Sequence, residues 1–495
     1  MDISLERRFL SSFRVIGESK KVCDVSSDIV VPDTKEDILR VVLSNAQYRI
    51  RSKDVESGRV VIHGELKANA VYVPESGDGL NTLSTDIPFE CEFDVKSADS
   101  GCIAIAQLDI ISLDTRILNP RKILINAQVC VYQKCYCNSD FTWFTAPEQS
   151  VKNAFFKTGS TNIRLVNLVT EKTFSIEDEL PMQNIDESAQ LVSTSVLFYT
   201  DSADAVGSKL IVKGHVDIKA LYCVNSDLES YDSTMSFSQI FELPERDVVP
   251  EYNAIILPTG DYFELSDGRL SFEIHAVMQI ICTEGKELEY IEDAYVCGAK
   301  TKLEREERAA CISQRQIQLN EQVQISHSAD NDIERVIHMS GLTGSPKLSG
   351  SELSFPITIE FVYASTDGQI RSAKAHGGAK VNLELEEDEA VEDMSVSVTV
   401  LNANCNGKDI TINASLCVKA NVQKRSALEV MCSAEYNELE NCKALPSIYI
   451  CRSQSNDLWS IAKRYSSDAA VISKLNELDE NSDISNKLLI VPRIK

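Results

Sequence analysis

Three stretches of this 495-residue chain carry the same alternating pattern, and that recurrence limits the folds available to it. They are "GRVVIHGELKANAVYV" (Gly58 to Val73), "SKLIVKGHVDIKALYC" (Ser208 to Cys223) and "SELSFPITIEFVYAS" (Ser351 to Ser365). Each alternates apolar and polar residues and closes on a tyrosine, at Tyr72, Tyr222 and Tyr363. Period two is the mark of a strand with one buried face. A second block follows each: "RKILINAQVCVYQKC" (Arg121 to Cys135), "GRLSFEIHAVMQIIC" (Gly268 to Cys282) and "GKDITINASLCVKAN" (Gly407 to Asn421). A third block precedes the first two, where Pro32 and Pro181 open polar turns; "NDIERVIHMSGLTGS" holds that place in the third copy without a proline.

The tyrosines lie about 140–150 residues apart, far above the 20–50-residue periods of solenoids. The expectation is therefore a mainly β chain of three tandem β-rich domains, sandwich or barrel-like, each burying its own core. Their bounds are read as 1–145, 155–300 and 308–440. A small βααβ domain is expected over 446–495. The segment "GAKTKLEREERAAC" (Gly298 to Cys311) reads as a charged, helical-looking spacer between the second and third domains.

The last fifty residues read strand, helix, helix, strand. "SIYICR" alternates. In "NDLWSIAKRY" Leu458, Ile461, Ala462 and Tyr465 make one apolar helix face, and Asn456 or Asp457 can cap its start. Asp468 opens a second helix with Val471, Ile472 and Leu475 on its buried side, and "KLLIVP" closes the unit.

Composition narrows the functions. Hydrophobic residues make up 43% and charged residues 25%, the balance of folded protein. A net charge of −26 repels phosphate backbones and anionic lipid headgroups, so nucleic-acid binding is not expected. No window has the apolar length of a membrane span, and "MDISLERRFLSSFRVIGESKK" lacks a signal-peptide core, so no membrane insertion and a cytoplasmic location are expected. The fifteen cysteines, most of them in apolar alternating runs, read as free buried hydrophobes in a reducing compartment. Cys130, Cys135 and Cys137 form the densest group, with Cys135 and Cys137 on one strand face; without a second CxxC pair or a nearby histidine, no metal site is assigned.

No nucleophile-elbow, phosphate-loop or HExxH pattern occurs. The six histidines are dispersed; His63 and His215 flank Gly64 and Gly214 on equivalent strands and read as strand-face residues. The run "LELEEDEAVEDM" (Leu383 to Met394) reads as a solvated acidic loop, with a docking surface for a basic partner as the other reading. No catalytic residue and no cofactor is assigned, and the chain is not expected to be an enzyme. An enzyme would call for a deep polar pocket confined to one repeat.

The repeats, through "VVP…DILRVVLSNAQYRI" and "VVIHGELKANAVYV" and their later versions, resemble the SPOCS domain of spore-coat proteins over roughly residues 13 to 440. The C-terminal unit is similar to a LysM domain. Leu458, Trp459, Ile461 and Ala462 match its first helix, "KLNEL" the end of its second, and "LIVP" its last strand. Ser455, Asn456 and Asp457 stand where that family has Gly-Asp-Thr, and Asn486 and Lys487 where it has Gly-Gln, a departure that speaks against sugar binding.

The domain order resembles the SipL-like coat morphogenetic proteins of spore-forming Clostridia. The resemblance implies a non-enzymatic scaffold in the mother cell, at the forespore surface. It would tether the spore coat by LysM-mediated binding to the coat-assembly ATPase of the stage-IV A sporulation type and would contact other spore coat proteins. The candidate partner-binding groove it implies is Ser455, Asn456, Asp457, Leu458, Trp459, Ile484 and Asn486. Peptidoglycan or N-acetylglucosamine binding in a cell-wall protein is the alternative.

Overall fold

The computed structural model describes every residue except 78, 183–184, 186–188, 225–226, 244–250, 439–445, 455–456, 480–482 and 495. Among the described residues the chain is mainly β, and its two helices lie near the C-terminus.

The chain opens with β1 (Asp2–Ile3), β2 (Leu5–Val30), β3 (Ile38–Glu56), β4 (Arg59–Pro74), β5 (Asn81–Asp94), β6 (Ile103–Asn119) and β7 (Lys122–Pro147). It continues through β8 (Ala154–Pro181), β9 (Gln190–Val206), β10 (Lys209–Val224), β11 (Asp227–Glu242), β12 (Glu251–Ser266) and β13 (Arg269–Val296). Then come β14 (Ala299–Ser328), β15 (Ile333–Thr343), β16 (Lys347–Ser349), β17 (Glu352–Ser365), β18 (Ile370–Asn382), β19 (Glu389–Asn406) and β20 (Asp409–Glu438). The C-terminal part is β21 (Ile448–Arg452), α1 (Leu458–Tyr465), α2 (Ala469–Leu475) and β22 (Leu488–Pro492).

One antiparallel scheme occurs three times. The alternating tyrosine-ended runs form the middle strands β4, β10 and β17 of three small sheets, β3-β4-β5, β9-β10-β11 and β15-β17-β18. The later blocks form β7, β13 and β20, each paired with a long strand on one side (β2, β8, β14) and a shorter one on the other (β6, β12, β19). The two sheets of each unit close on one core. In the first, Val60, Ile62 and Leu66 meet Ile123, Ile125 and Val129. In the third, Leu353, Phe355 and Ile357 meet Ile410, Ile412 and Leu416. In the second, Val216 and Ile218 meet Phe272 and Ile274. Tyr72 is fully buried because its hydroxyl donates to the Glu36 carbonyl at 3.0 Å, which removes the cost of an unpaired polar group.

Gly64 and Gly214 sit opposite Phe89 and Phe237 in the small sheets. An added Cβ at either would fall within 2.5 Å of the facing ring, so the aromatic side chain takes the place a side chain would fill. His63 and His215 lie on the outer faces, beside Asp54 and Glu90 and beside Asp201 respectively.

The three units pack head to tail. Asp261 on β12 pairs with Arg49 on β3, Lys419 on β20 donates to the Thr200 carbonyl on β9, and Lys374 on β18 donates to the Leu113 carbonyl on β6. Each unit thus touches both others in the same sense, and the arrangement closes on itself. At the middle, Val42, Leu43 and Val71 meet Val192 and Leu221 and also Ile337 and Val362.

Three expectations are corrected. The charged stretch after Gly298 is no helical spacer: β14 begins at Ala299 and pairs along its length with β20, so tertiary pairing overrides the helix propensity of its Glu, Lys and Arg residues. The acidic run is only partly a loop. From Glu389 it is β19, and Glu392 and Asp393 point into the seam between units rather than into solvent. Not all cysteines are free: Cys23 on β2 and Cys91 on β5 form a disulfide that bridges the two sheets of the first unit. Cys442 lies outside the described residues.

Candidate partner-binding site

The C-terminal unit is built as its sequence dictates. Asp457 caps α1 by accepting the Trp459 N–H at 3.1 Å, and Asp468 caps α2 by accepting the Ala470 N–H at 2.8 Å. Ala462, Ile472, Leu489 and Val491 form the core. Asn476, after α2, ties the open edge of β22. Its amide donates to the Ile490 carbonyl at 2.7 Å and accepts the Ile490 N–H at 2.8 Å, completing a strand edge that would otherwise lack partners. Asn486 adopts φ +60°, the left-handed conformation that asparagine tolerates better than most residues, and so turns the chain into β22 without a glycine.

This unit is docked on the end of β13. The Trp459 ring meets Tyr295 edge-on, centroids 4.9 Å apart, and its indole N–H donates to Asp293 at 2.8 Å. Lys463 pairs with the same carboxylate at 2.7 Å. The Tyr295 hydroxyl donates to the Ser467 carbonyl at 2.7 Å. Burial opposes ionisation of Asp293, but the bonds from Lys463 and Trp459 outweigh it and hold the carboxyl below its ordinary range.

Of the seven groove residues expected from the sequence, Ser455 and Asn456 lie outside the described residues. Asp457 is a helix cap, Leu458 packs against the unit's core and Ile484 is buried in it. Trp459 is engaged by the chain's own β13. Asn486 stands next to Ser453, whose carbonyl accepts its N–H at 3.1 Å. What the unit leaves outward is a sheet face. Ile450 pairs with Ile490 and Arg452 with Leu488, and alternation puts Ile448 on that same side. Their exposures are 59% for Ile448, 67% for Ile450, 66% for Leu488 and 42% for Ile490. Four exposed aliphatic side chains thus share one face of this small sheet. Sequence reasoning missed this face; apolar residues in both phases of "SIYICR" and "LLIVP" are the signal that could have found it.

A second feature lies where the three units meet: a cavity of about 470 Å³ lined by residues of all three, among them Asn45, Ser193, Lys219, His338, Glu360 and Lys374. Asn45 donates to Ser193 across the first two units. Burial, with Lys219 nearby, lowers the His338 pKa to about 4, and burial raises Glu360 against the opposing effect of Lys374. The cavity belongs to the junction and not to a single unit. No local pattern marks it, since its walls come from three units that meet only in the fold.

No helix is long and apolar enough to cross a membrane among the described residues. No curated protein and no solved structure matches the chain. Residues 37–118, which run from β3 to the end of β6, match the family model described as SipL, SPOCS domain, and this likeness associates that part of the chain with sporulation-related proteins.

Proposed function

We propose that this protein is a non-enzymatic scaffold of spore coat assembly, which tethers the coat to the forespore surface through a LysM-type C-terminal unit that binds the coat-assembly ATPase of the stage-IV A sporulation type. The observation that carries the reading is the pairing of a SPOCS-type segment at 37–118 with a βααβ unit that presents four exposed aliphatic residues. The order of Leu458, Trp459, Ile461, Ala462 and Asn476 supports a LysM identity for that unit.

The three β units serve as a rigid base in this reading. Trp459 and Asp293 fix the C-terminal unit to it, and the face of Ile448, Ile450, Leu488 and Ile490 meets the ATPase. Burying such a face supplies association energy of about 25 cal/mol per Å² of apolar surface before ordering costs. A tethered scaffold gains further from several weak contacts made at once.

The test is imaging of a fluorescently tagged chain in sporulating cells. A ring around the forespore is expected for the wild type, with dispersed signal for the double variant I450E/L488E at equal abundance. A variant ring identical to the wild-type ring contradicts the assignment of this face. Absence of any forespore enrichment of the wild type contradicts the scaffold reading.

A further inference from the structure

Two thiols and a carboxylate converge at one end of the first unit's core. The pairing of β6 with β7 matches Ile103 to Tyr136 and Ala104 to Cys135, which puts Cys102, one residue before β6, beside Cys137. Cys135 and Cys137 share a strand face. Asp99 comes from the turn between β5 and β6. Its Oδ1 accepts the Gly101 N–H at 2.8 Å and the Cys102 thiol at 3.5 Å, which fixes the carboxylate over the sulfurs. The ligand atoms of Asp99, Cys102 and Cys137 all lie within 4.8 Å of one another, and Cys135 stands two residues before Cys137 on the same strand.

We propose that Asp99, Cys102 and Cys137 bind a thiophilic divalent cation, zinc being the best match, with the fourth position left to water. Thiolate ligands select zinc among the common divalent ions, and three protein ligands plus a water are a set that zinc accepts. Zinc–sulfur bonds of about 2.3 Å in a tetrahedron put ligand atoms about 3.8 Å apart, and the three ligand atoms here already lie within 4.8 Å of one another. Cys102 and Cys135 are almost fully buried, whereas Asp99 is exposed. A cleft lined by Ser100, Cys102 and Ile103 opens beside them and gives the ion a route from solvent. The ion would lock the turn after β5 to β7, the strand that carries the unit's core. Zinc binding releases the thiol protons as it forms the metal–sulfur bonds, with no change of oxidation state.

The experiment uses the full chain purified under reducing conditions without chelator. Metal content is measured by elemental analysis, and cobalt(II) is titrated into the stripped protein. The expected result is about one zinc per chain, and with cobalt a thiolate-to-metal charge-transfer band plus intense visible bands of tetrahedral geometry, both abolished by added zinc. C102S and C137S should weaken binding by more than about 100-fold, beyond the effect of losing an outer partner, and D99N by less. C130S, on the opposite face of β7, should leave the spectrum unchanged. Because a core variant can misfold, zinc protection of wild-type thiols against a thiol reagent is measured in parallel. No stoichiometric metal and no protection would overturn the proposal. So would an intact mass showing a Cys102–Cys137 disulfide in the reduced preparation, or a cobalt spectrum unaltered in C102S and C137S.

Discussion

Asp293, near the end of β13, accepts both the Trp459 indole N–H at 2.8 Å and the Lys463 ammonium at 2.7 Å. One carboxylate therefore joins the C-terminal unit to the body of the molecule. Its folded pKa is depressed, so the stability it contributes is present above the ordinary carboxylate value and is lost as pH falls through the folded value. D293A should cost about 1–3 kcal/mol of docking, since two donors lose a charged acceptor. The expected readouts are a red-shifted tryptophan emission and faster hydrogen exchange over residues 458–465. Unchanged emission and exchange would show that Tyr295 alone holds the unit.

Asp261 has a side chain only 1% exposed and is held by Arg49 at 2.6 Å and Lys67 at 2.8 Å, both from the first unit. Removing Asp261 takes the buried partner from Lys67 and leaves Arg49 only the longer contacts to Glu65 at 3.7 Å and Asp86 at 3.9 Å. D261A should destabilise the junction of the first two units by about 3–5 kcal/mol, whereas a triple variant R49M/K67M/D261L should recover most of the loss. Urea unfolding followed by domain-resolved exchange checks this. A cost below about 1 kcal/mol for D261A would mean that water reaches the site.

Asp393 and His338 make opposite contributions to pH dependence. Burial raises the Asp393 carboxyl to about 6, with Glu392 and Glu18 adding to it and Lys134 and the Asn421 amide opposing. Its stabilising contribution is complete below about 3.8 and lost as pH rises through 6. D393N should therefore be more stable than wild type at pH 7 by on the order of 3 kcal/mol and equal to it near pH 4. Thermal unfolding curves at the two pH values measure the difference; parallel curves would place Asp393 in contact with solvent.

His338 has the reverse sign. Its neutral form is favoured in the fold, so its contribution is complete above about 6.5 and lost as pH falls toward 4. H338Q should resist acidification by on the order of 3 kcal/mol relative to wild type. Because the two shifts are of similar size, they offset each other in wild type between pH 4 and 6. The single variants should reveal opposite slopes there, rising with pH in D393N and falling in H338Q. Equal slopes would contradict both assignments.

Legibility in the sequence followed the range of the interaction. Period two exposed β4, β10 and β17, because one face of each packs on a core within its own unit. Helix caps at Asp457 and Asp468 were readable for the same local reason. The seam between units was not. Lys134 meets Glu392 at 2.6 Å across 258 residues, and an acidic run that composition alone marks as solvated is thereby drawn inward. Cys102 lies more than thirty residues before Cys135 in sequence, and only the β6–β7 register brings them together. The outward apolar face of "SIYICR" was missed, because both phases of the strand are apolar and which one faces outward depends on packing with α1 and α2.

The most direct measurement is a binding titration of the purified full chain against the polymerising coat-assembly ATPase, alongside sedimentation with peptidoglycan. Saturable binding to the ATPase that is reduced at least tenfold in I450E/L488E, with no sedimentation on peptidoglycan, is the predicted result. Binding to peptidoglycan with none to the ATPase would contradict the account.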